Sequence, residues 1–442
     1  MHESASKRTP ARLSGWKEIA RHLGVTVRTA QSWEEKRGLP VRRLPGVRGG
    51  VYALTDEVDA WAVGQEPALG QERGRQQRQR RILYAALWTA GIALAAAAGL
   101  GGRFWASRHA QIAALRFEGD AVVATNGEGV ELWRLTLEPI QPGTELEPTQ
   151  SYLVEADLDG DGRKEAVGGA QYSKPNAAGG QSVGSEIFRI SPSGELLWKK
   201  PARPVLRGAG GDPFAGEWGL HGMATARGQG RDRVWVGLSH SVRYPGVVAE
   251  VMPDGGLREV FANYGHVNSL AAMEYGGKTW LLAGGASSAL KGGFLALIDP
   301  DKGLSIAPEG GPPRYRFTTR GQARPEVYYH IPLMDLAEAY LDDVNAVYGL
   351  QVTGEQGGWA RAHVGIEGCN VFIELDLPLK PKAVRISSPC ELGHRKFEKT
   401  GAIGHPFERC PFLHEPMLLR KWTEKGGWEE VRVPVANMKN TL

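Results

Sequence analysis

Hydrophobic residues recur with helical spacing near the start of the chain. Within residues 16–23 the apolar positions are three and four apart, and Gly24 can end this helix in the left-handed conformation. Thr26 can then cap a second helix over residues 27–37. Thr55 and Asp56 can cap a third helix, which is predicted to end near Trp61. Two helices joined by a short turn that contains glycine predict a helix-turn-helix.

The segment that follows the second helix predicts a β-hairpin. Residues 40–52 contain Pro-Gly and Gly-Gly turn signals between short apolar pieces, and they are rich in arginine. We therefore expect a disordered terminus over residues 1–12 and a small, mainly α, winged helix-turn-helix domain over residues 13–63. The stretch WKEIARHLGVTVRTAQSWEEKRGLP resembles the MerR and excisionase families of DNA-binding proteins, and GVTVRTxxxWE is its most specific part.

That resemblance implies binding to DNA. In such modules the second helix enters the major groove and the wing follows the phosphate backbone. The matching groove positions in this chain are Arg28, Thr29, Gln31, Ser32 and Lys36. On the wing, the arginines that would neutralise phosphates are Arg42, Arg43 and Arg48. The alternative is a helix-turn-helix that serves as a protein adaptor, with its arginines solvated.

A long apolar run follows this domain. Residues 82–102 are 21 consecutive residues without a charged side chain. As a helix they would rise about 31 Å, enough to cross a hydrocarbon core of roughly 30 Å. We therefore predict a single transmembrane helix, the alternative being a buried core helix. The spacing of Gly91, Ala95 and Gly99 would allow two such helices to pair in a homodimer.

The charges that flank this run predict its orientation. Residues 64–81 form a basic tether whose last nine positions hold five arginines, whereas only Arg103 and Arg108 follow closely on the other side. The positive-inside rule then places the N-terminus in the cytoplasm and residues 103–442 outside. The predicted location is the bacterial inner membrane.

Beyond residue 103 the pattern changes to short strands separated by glycine turns. Three stretches align without a gap and each predicts a strand, a glycine turn and a second strand: residues 156–173, 224–241 and 271–288. Each is followed by another apolar run and a P-x-x-x-L turn. The repeats therefore extend over residues 156–200, 224–261 and 271–307.

Four strands in each repeat indicate a propeller blade. Residues 103–442 are accordingly predicted to form an extracytoplasmic all-β, propeller-like domain of about five blades, with four to seven open. Hairpins over residues 121–135 and 418–431 could complete one blade together. The alternative is a partial propeller followed by a separate β-domain over residues 315–442.

One repeat alone carries a ladder of carboxylates, in the pattern D-x-D-x-D-G-x-x-E. Alternate side chains converge on one centre, and hard oxygen ligands suit Ca²⁺. The stretch resembles the FG-GAP calcium loop of integrin-type propellers, which implies a structural Ca²⁺ ion. Its ligands would be Asp157, Asp159, Asp161, the Arg163 carbonyl and Glu165. The alternative is an acidic turn that binds no metal.

The three cysteines all lie in the predicted external part, where disulfides are allowed. A disulfide between Cys390 and Cys410 is favoured, ahead of free thiols. The equal spacing of Cys390 to His394 and of Cys410 to His414 also allows a Cys₂His₂ zinc site.

Charge divides the chain in the same place as the apolar run. The net charge is +4, but residues 1–81 hold 16 Lys/Arg against 9 Asp/Glu, and residues 82–442 hold 37 against 40. The sequence contains no P-loop or H-E-x-x-H motif that would indicate an enzyme.

These observations favour a membrane-anchored, DNA-binding transcriptional regulator whose propeller senses an external ligand or protein. One alternative is a surface-tethered hydrolase or lyase with a regulatory DNA-binding head. The other is a passive tether that holds DNA at the membrane.

Overall fold

The chain folds into two compact units, Met1–Phe104 and Trp105–Leu442. We refer to them as the N-terminal and C-terminal units. The computed structural model describes residues 11–45, 50–64, 84–89, 91–92, 111–138, 146–175, 181–209, 214–241, 245–310, 316–318, 323–340, 345–352, 358–363 and 369–436.

Over residues 11–64, the N-terminal unit combines three helices with a small antiparallel sheet. Its helices are α1 (Trp16–His22), α2 (Val27–Arg37) and α3 over residues 55–64. Its strands, in the sheet order β1-β3-β2, are β1 (Arg12–Ser14), β2 (Arg42–Arg43) and β3 (Val51–Leu54). The elements share one core, made of Ile19, Ala20, Ala30, Leu39, Val51, Ala53 and Val58.

Local chemistry fixes the ends of α2. The Thr26 hydroxyl accepts a hydrogen bond from the Thr29 N–H at 3.2 Å, as an N-cap does. Gly24 in the connecting turn has φ +66°, and Gly38 after the helix has φ +65°. Both values lie in the left-handed region, which favours glycine. The sequence therefore determines where α2 begins and ends.

The predicted membrane helix is wrong. Within residues 82–102 the structure describes only the helical residues 84–89 and 91–92, and the remaining positions lie outside the described residues. Among all the described residues, no helix is long and apolar enough to cross a membrane. This finding also overturns the predicted inner-membrane location.

Five antiparallel sheets make up most of the described C-terminal unit. The first contains β4 (Ala114–Glu118), β5 (Ala121–Thr125) and β6 (Glu131–Thr136). The second contains β7 (Leu146–Ala156), β8 (Glu165–Pro175), β9 (Gln181–Ile190) and β10 (Leu196–Pro201). The third contains β11 (Trp218–Arg227), β12 (Asp232–His240), β13 (Gly246–Val251) and β14 (Leu257–Asn263), to which β18 (Ser305–Ile306) adds in parallel.

The last two sheets contain strands that come from distant parts of the chain. The fourth contains β15 (Val267–Tyr275), β16 (Lys278–Ser287), β17 (Gly292–Ile298), β19 (Val327–Pro332), β24 (Met417–Thr423) and β25 (Gly427–Val433). The fifth contains β20 (Ala346–Val352), β21 (Gly358–His363), β22 (Asn370–Asp376) and β23 (Lys380–Ile386). Short helices connect and follow these strands: α4 (Asp335–Ala339), α5 (Pro389–Thr400), a 3₁₀ helix (Phe407–Arg409) and α6 (Pro411–His414).

The three aligned stretches of the sequence all form hairpins, namely β7–β8, β11–β12 and β15–β16. Their turn glycines share a left-handed backbone, with φ +83° at Gly162, +80° at Gly230 and +73° at Gly277. The first strands of these hairpins lie side by side, because β11 contacts both β7 and β15. The repeat is therefore a structural unit as well as a sequence pattern.

The predicted propeller fold is also wrong, since no closed propeller is found among the described residues. The sheets have three to six strands instead of repeating as equal four-stranded blades. The hairpin β24–β25 does not complete a blade with the first strands of the unit. It extends the fourth sheet instead, through the pairing of β24 with β19.

The largest apolar core lies around the later strands and the short helices. It includes residues of β19, β22 and β24, together with Leu336 in α4 and Cys390 at the start of α5. A second core joins β8 to the third sheet and includes the fully buried Val167 and Leu220. These two cores hold the side-chain clusters described below.

Candidate functional site

Helix α2 presents a polar face to solvent. Its inner side is fixed by Ala30, which is fully buried, and by Trp33, which packs against the same core. The predicted groove residues are all on this helix: Arg28, Gln31 and Lys36 are exposed, and Thr29 and Ser32 are half-buried. The exposed Glu35 lies four positions after Gln31 and shares its face. The face therefore offers hydrogen-bond donors and acceptors side by side.

Thr29 has a second role in the local structure. Its hydroxyl lies 2.8 Å from the Thr26 hydroxyl, and its N–H donates to the same oxygen. It is thus part of the cap that starts α2. Arg28 and Gln31 are the more exposed of the predicted contacts near this helix end.

The arginines of the hairpin form ion pairs within the unit. The Arg42 guanidinium donates to Glu57 at 2.5 Å, and the Arg43 guanidinium donates to Glu34 at 2.9 Å. Both arginines are exposed, and surface pairs of this kind contribute little stability. A phosphate group could therefore compete for them. Arg48 lies outside the described residues.

The acidic side chains of this unit are mostly engaged inside it. Glu34 and Glu57 hold the hairpin arginines, Glu18 accepts from the Ser14 N–H at 2.7 Å, and Asp59 lies 2.7 Å from His22. Over residues 11–64 there are nine Lys/Arg against six Asp/Glu. The balance of charge favours an anionic partner.

The predicted calcium loop connects β7 to β8, and its acidic side chains do converge. One carboxylate oxygen from each of Asp157, Asp159, Asp161 and Glu165 lies within 4.8 Å of the others. Asp157 accepts from the N–H groups of Gly160 at 2.7 Å and Gly162 at 2.9 Å. The N–H of Arg163 donates to Asp161 at 2.8 Å.

A guanidinium group already lies within this cluster. Arg189 on β9 donates to Glu165 at 2.8 Å and also to Asp159. The other oxygen of Glu165 accepts from the Leu158 N–H at 2.9 Å. Burial raises the pKa of Glu165, and the hydrogen bond from Arg189 opposes that rise. Both oxygens of Glu165 are therefore hydrogen-bonded within the protein, as are both oxygens of Asp157. Asp157, Asp159 and Asp161 are less buried than Glu165, and their carboxylates are of the kind that a hard cation takes as ligands.

The predicted disulfide is wrong. Cys390 pairs with Cys369, with their Cα atoms 4.5 Å apart, and Cys410 is a buried free thiol. The pairing arises because the Asn370 N–H donates to the Ser387 hydroxyl at 2.8 Å and the Ser387 N–H donates to the Asn370 carbonyl at 2.9 Å. These contacts place the residues before β22 beside the start of α5.

Cys410 lies instead in a group that the sequence analysis did not find. Its neighbours are Asp335, His394 and His405, and one possible ligand atom from each of the four residues lies within 4.8 Å of the others. Burial, and then the Asp335 carboxylate, raise the pKa of the Cys410 thiol to about 12. Burial lowers the pKa of His394. The spacing of cysteine and histidine pairs indicated His394 and Cys410, but no periodic signal relates them to Asp335 or His405.

No family model matches this chain, and no curated protein matches it. Among solved structures it is similar to a Synechocystis ACO mutant at 12% identity and a TM-score of 0.24, over 60% of this chain and 68% of that chain. It is similar to Raptor from Chaetomium thermophilum at 11% identity and a TM-score of 0.29, over 75% of this chain and 25% of that one. For the exotype rhamnogalacturonan lyase YesX the identity is 12% and the TM-score 0.20, over 60% and 63% of the two chains. These scores carry no argument about fold or function, so the comparisons give the helix-turn-helix and DNA-binding assignments no support. The resemblances to MerR and FG-GAP stay predictions.

Proposed function

We propose that residues 11–64 bind double-stranded DNA and that the chain regulates transcription through this contact. Helix α2 would enter the major groove, and strands β2 and β3 would lie along a phosphate backbone. The observation that carries the proposal is the polar face of α2, with Arg28, Gln31 and Lys36 exposed on a helix whose opposite side is buried.

The chemistry of this face suits the edges of base pairs. A glutamine can donate to and accept from adenine, and an arginine can donate twice to guanine. Gln31 lies three positions after Arg28, so the two side chains leave α2 on the same side. Lys36 at the far end of the helix is placed for a phosphate contact. The face therefore has side chains that can contact base edges and a side chain that can contact the phosphate backbone of DNA.

The hairpin supplies the electrostatic part of the contact. Arg42 and Arg43 are exposed and are held only by surface ion pairs, so exchanging Glu57 and Glu34 for phosphates costs little. Each arginine that neutralises a phosphate releases a counterion. The affinity should therefore fall as the salt concentration rises.

The test is selection of duplexes from a random pool by the full-length protein, followed by fluorescence anisotropy on the selected site. We expect Arg28→Ala to weaken specific binding by roughly 5- to 100-fold, the range for the loss of a base contact. Arg43→Ala should weaken binding to all duplexes alike and reduce the slope of log affinity against log salt by about one.

Arg21→Ala is the matched control, because Arg21 is an exposed arginine of the same unit on α1. It should change specific binding much less than Arg28→Ala does. If no duplex is enriched, or if both variants lose the same small factor, α2 is not a reading helix. The ligand-sensing role assigned to the C-terminal residues from the sequence stays a prediction.

A further inference from the structure

Four metal-binding side chains from separate elements converge in the C-terminal unit. Asp335 is the first residue of α4, His394 lies in α5, His405 lies between α5 and the 3₁₀ helix, and Cys410 precedes α6. They span 75 positions of the sequence, from Asp335 to Cys410. The fold therefore brings together one oxygen, two nitrogen and one sulfur donor.

The distances between these donor atoms have the size of the edges of a tetrahedron. His394 Nε2 lies 3.2 Å from His405 Nε2, and His405 Nε2 lies 3.0 Å from Asp335 Oδ2. The same carboxylate oxygen is 3.5 Å from Cys410 Sγ and 3.9 Å from His394 Nε2. Tetrahedral zinc with bonds of about 2.0–2.3 Å places its ligand atoms about 3.3–3.8 Å apart. One ion at the centre would reach all four atoms.

Hydrogen bonds alone satisfy this group poorly. His405 Nε2 lies within hydrogen-bond distance of both His394 Nε2 and Asp335 Oδ2, and an imidazole nitrogen has at most one proton to donate. The other ring nitrogen of His394, Nδ1, is buried and has no hydrogen-bond partner among the residues that the structure describes. The nearest carboxylate oxygen, from Glu398, is 3.9 Å away from it. A cation among the two Nε2 atoms and Asp335 Oδ2 would be bound by a lone pair from each of them.

Charge and burial agree with a divalent ion. His394 and Cys410 are fully buried, and Asp335 and His405 are half-buried. A carboxylate and a thiolate carry two negative charges, so a divalent cation with these four ligands gives a neutral group. Neutrality matters here because an uncompensated buried charge is costly.

We propose that Asp335, His394, His405 and Cys410 bind one zinc ion in a structural site. Mixed nitrogen, sulfur and oxygen donors in a tetrahedron suit zinc better than calcium or magnesium, which prefer oxygen. Four protein ligands leave no open position for a substrate, so the site is structural.

The zinc ion would stabilise short helices that are not stable in isolation. Helix α4 has five residues and α6 has four, well below the length at which an isolated helix is stable. Asp335 Oδ1 accepts from the Leu336 N–H at 2.7 Å, which directs Oδ2 of the same carboxylate toward the cluster. Zinc would join both helices to α5, and the disulfide of Cys390 already joins α5 to the strand β22.

The test compares two histidines of the same segment. The full-length protein is produced with zinc in the medium, passed through metal-free buffer and analysed by elemental mass spectrometry. We expect about one zinc per chain. His405→Gln should lose that zinc, whereas His414→Gln should keep it, because His414 does not belong to the group of four. Circular dichroism of each variant checks that it is folded.

Cobalt gives a second measurement that does not depend on stability. The cobalt-loaded parent should show visible tetrahedral bands and a near-ultraviolet thiolate-to-cobalt band. Cys410→Ser should lose the thiolate band and keep the visible ones. The proposal is overturned if the zinc-exposed parent retains less than about a tenth of an ion per chain. It is equally overturned if both histidine variants keep the same zinc, which would then be adventitious.

Discussion

Replacing Arg189 with methionine is the sharpest test of how the second sheet holds its acidic loop. The Arg189 side chain is 6% exposed, and Glu165, which it contacts at 2.8 Å, is 2% exposed. The same guanidinium contacts Asp159 and reaches the Pro253 carbonyl at 3.3 Å. One side chain thus joins β9, the acidic loop and the turn after β13.

The loss in the free energy of unfolding expected for Arg189→Met follows from the contacts that remain to Glu165. Methionine fills a similar volume, but the buried Glu165 carboxylate keeps only the Leu158 N–H as a donor. Removing one partner of a buried ion pair costs about 3–5 kcal/mol. Glu165→Gln in the same protein removes the uncompensated charge. We therefore expect a coupling free energy of about 1–3 kcal/mol between the two substitutions.

The assay is urea unfolding of the full-length protein at two pH values. Burial raises the pKa of Glu165, and the loss of Arg189 removes a hydrogen bond that lowers it, so this pKa rises further in the variant. A carboxyl group whose pKa is higher in the folded state stabilises that state at low pH. The contribution is lost as the pH rises through the folded pKa. The loss of stability caused by Arg189→Met should therefore be smaller at the lower of the two pH values.

Arg134→Met is the matched control, since Arg134 also contacts two glutamates, Glu118 and Glu131, but on the surface. We expect it to cost much less, because water screens the remaining carboxylates. Equal losses for Arg189→Met and Arg134→Met, or a deficit that does not change with pH, would refute the account of the buried pair.

Two further predictions concern protons and calcium. Burial, and then Arg420 on the neighbouring strand, lower the pKa of His330 to about 4. Stability should therefore fall as the pH drops from about 6.5 toward 4, by up to about 3 kcal/mol, and His330→Leu should remove this loss in urea unfolding. For the acidic loop, we predict that millimolar Ca²⁺ raises the melting temperature of the parent and that Asp161→Asn abolishes the rise. The same melting curve for the parent in Ca²⁺ and in chelator would contradict this prediction.

Local signals in the sequence predicted local structure well. The Thr26 cap and the turn at Gly24 depend on neighbours within a few residues, and so does the left-handed turn at Gly162. The same is true of the polar face of α2, because helical spacing alone decides which side chains share a face. For these features, the neighbouring residues in the sequence determine nearly all of the observed structure.

The remaining features depend on contacts that no local pattern encodes. Strand β24 pairs with β19, and His330 lies opposite Arg420 across 90 positions of the chain. An alternating strand specifies which face is buried, but it does not specify its neighbour. For the same reason, no local pattern predicts the four proposed zinc ligands. Asp335 comes close to Cys410 only after the fourth sheet and the short helices have assembled.

The ion pair of Glu165 also shows why a row of carboxylates in the sequence does not by itself indicate a metal site. Glu165 aligns with Arg233 in the second repeat, which pairs with Glu250 at 2.9 Å, and the third repeat pairs Lys278 with Asp299. In all three repeats a basic and an acidic side chain join the second strand to the third, and each acid is almost fully buried.

The strand that carries the acid is not the same in the three repeats. The acid lies on the second strand in the first repeat and on or just after the third strand in the others. The repeated feature is thus an almost fully buried acid that contacts a basic side chain on the adjacent strand, and its physical basis is the cost of leaving a buried carboxylate without a partner. Glu165 belongs to this pair, whereas Asp157 and Asp161 accept hydrogen bonds from backbone N–H groups of their own loop. Calcium binding should therefore depend on those two aspartates, and Glu165→Gln should affect stability far more than it affects the response to calcium.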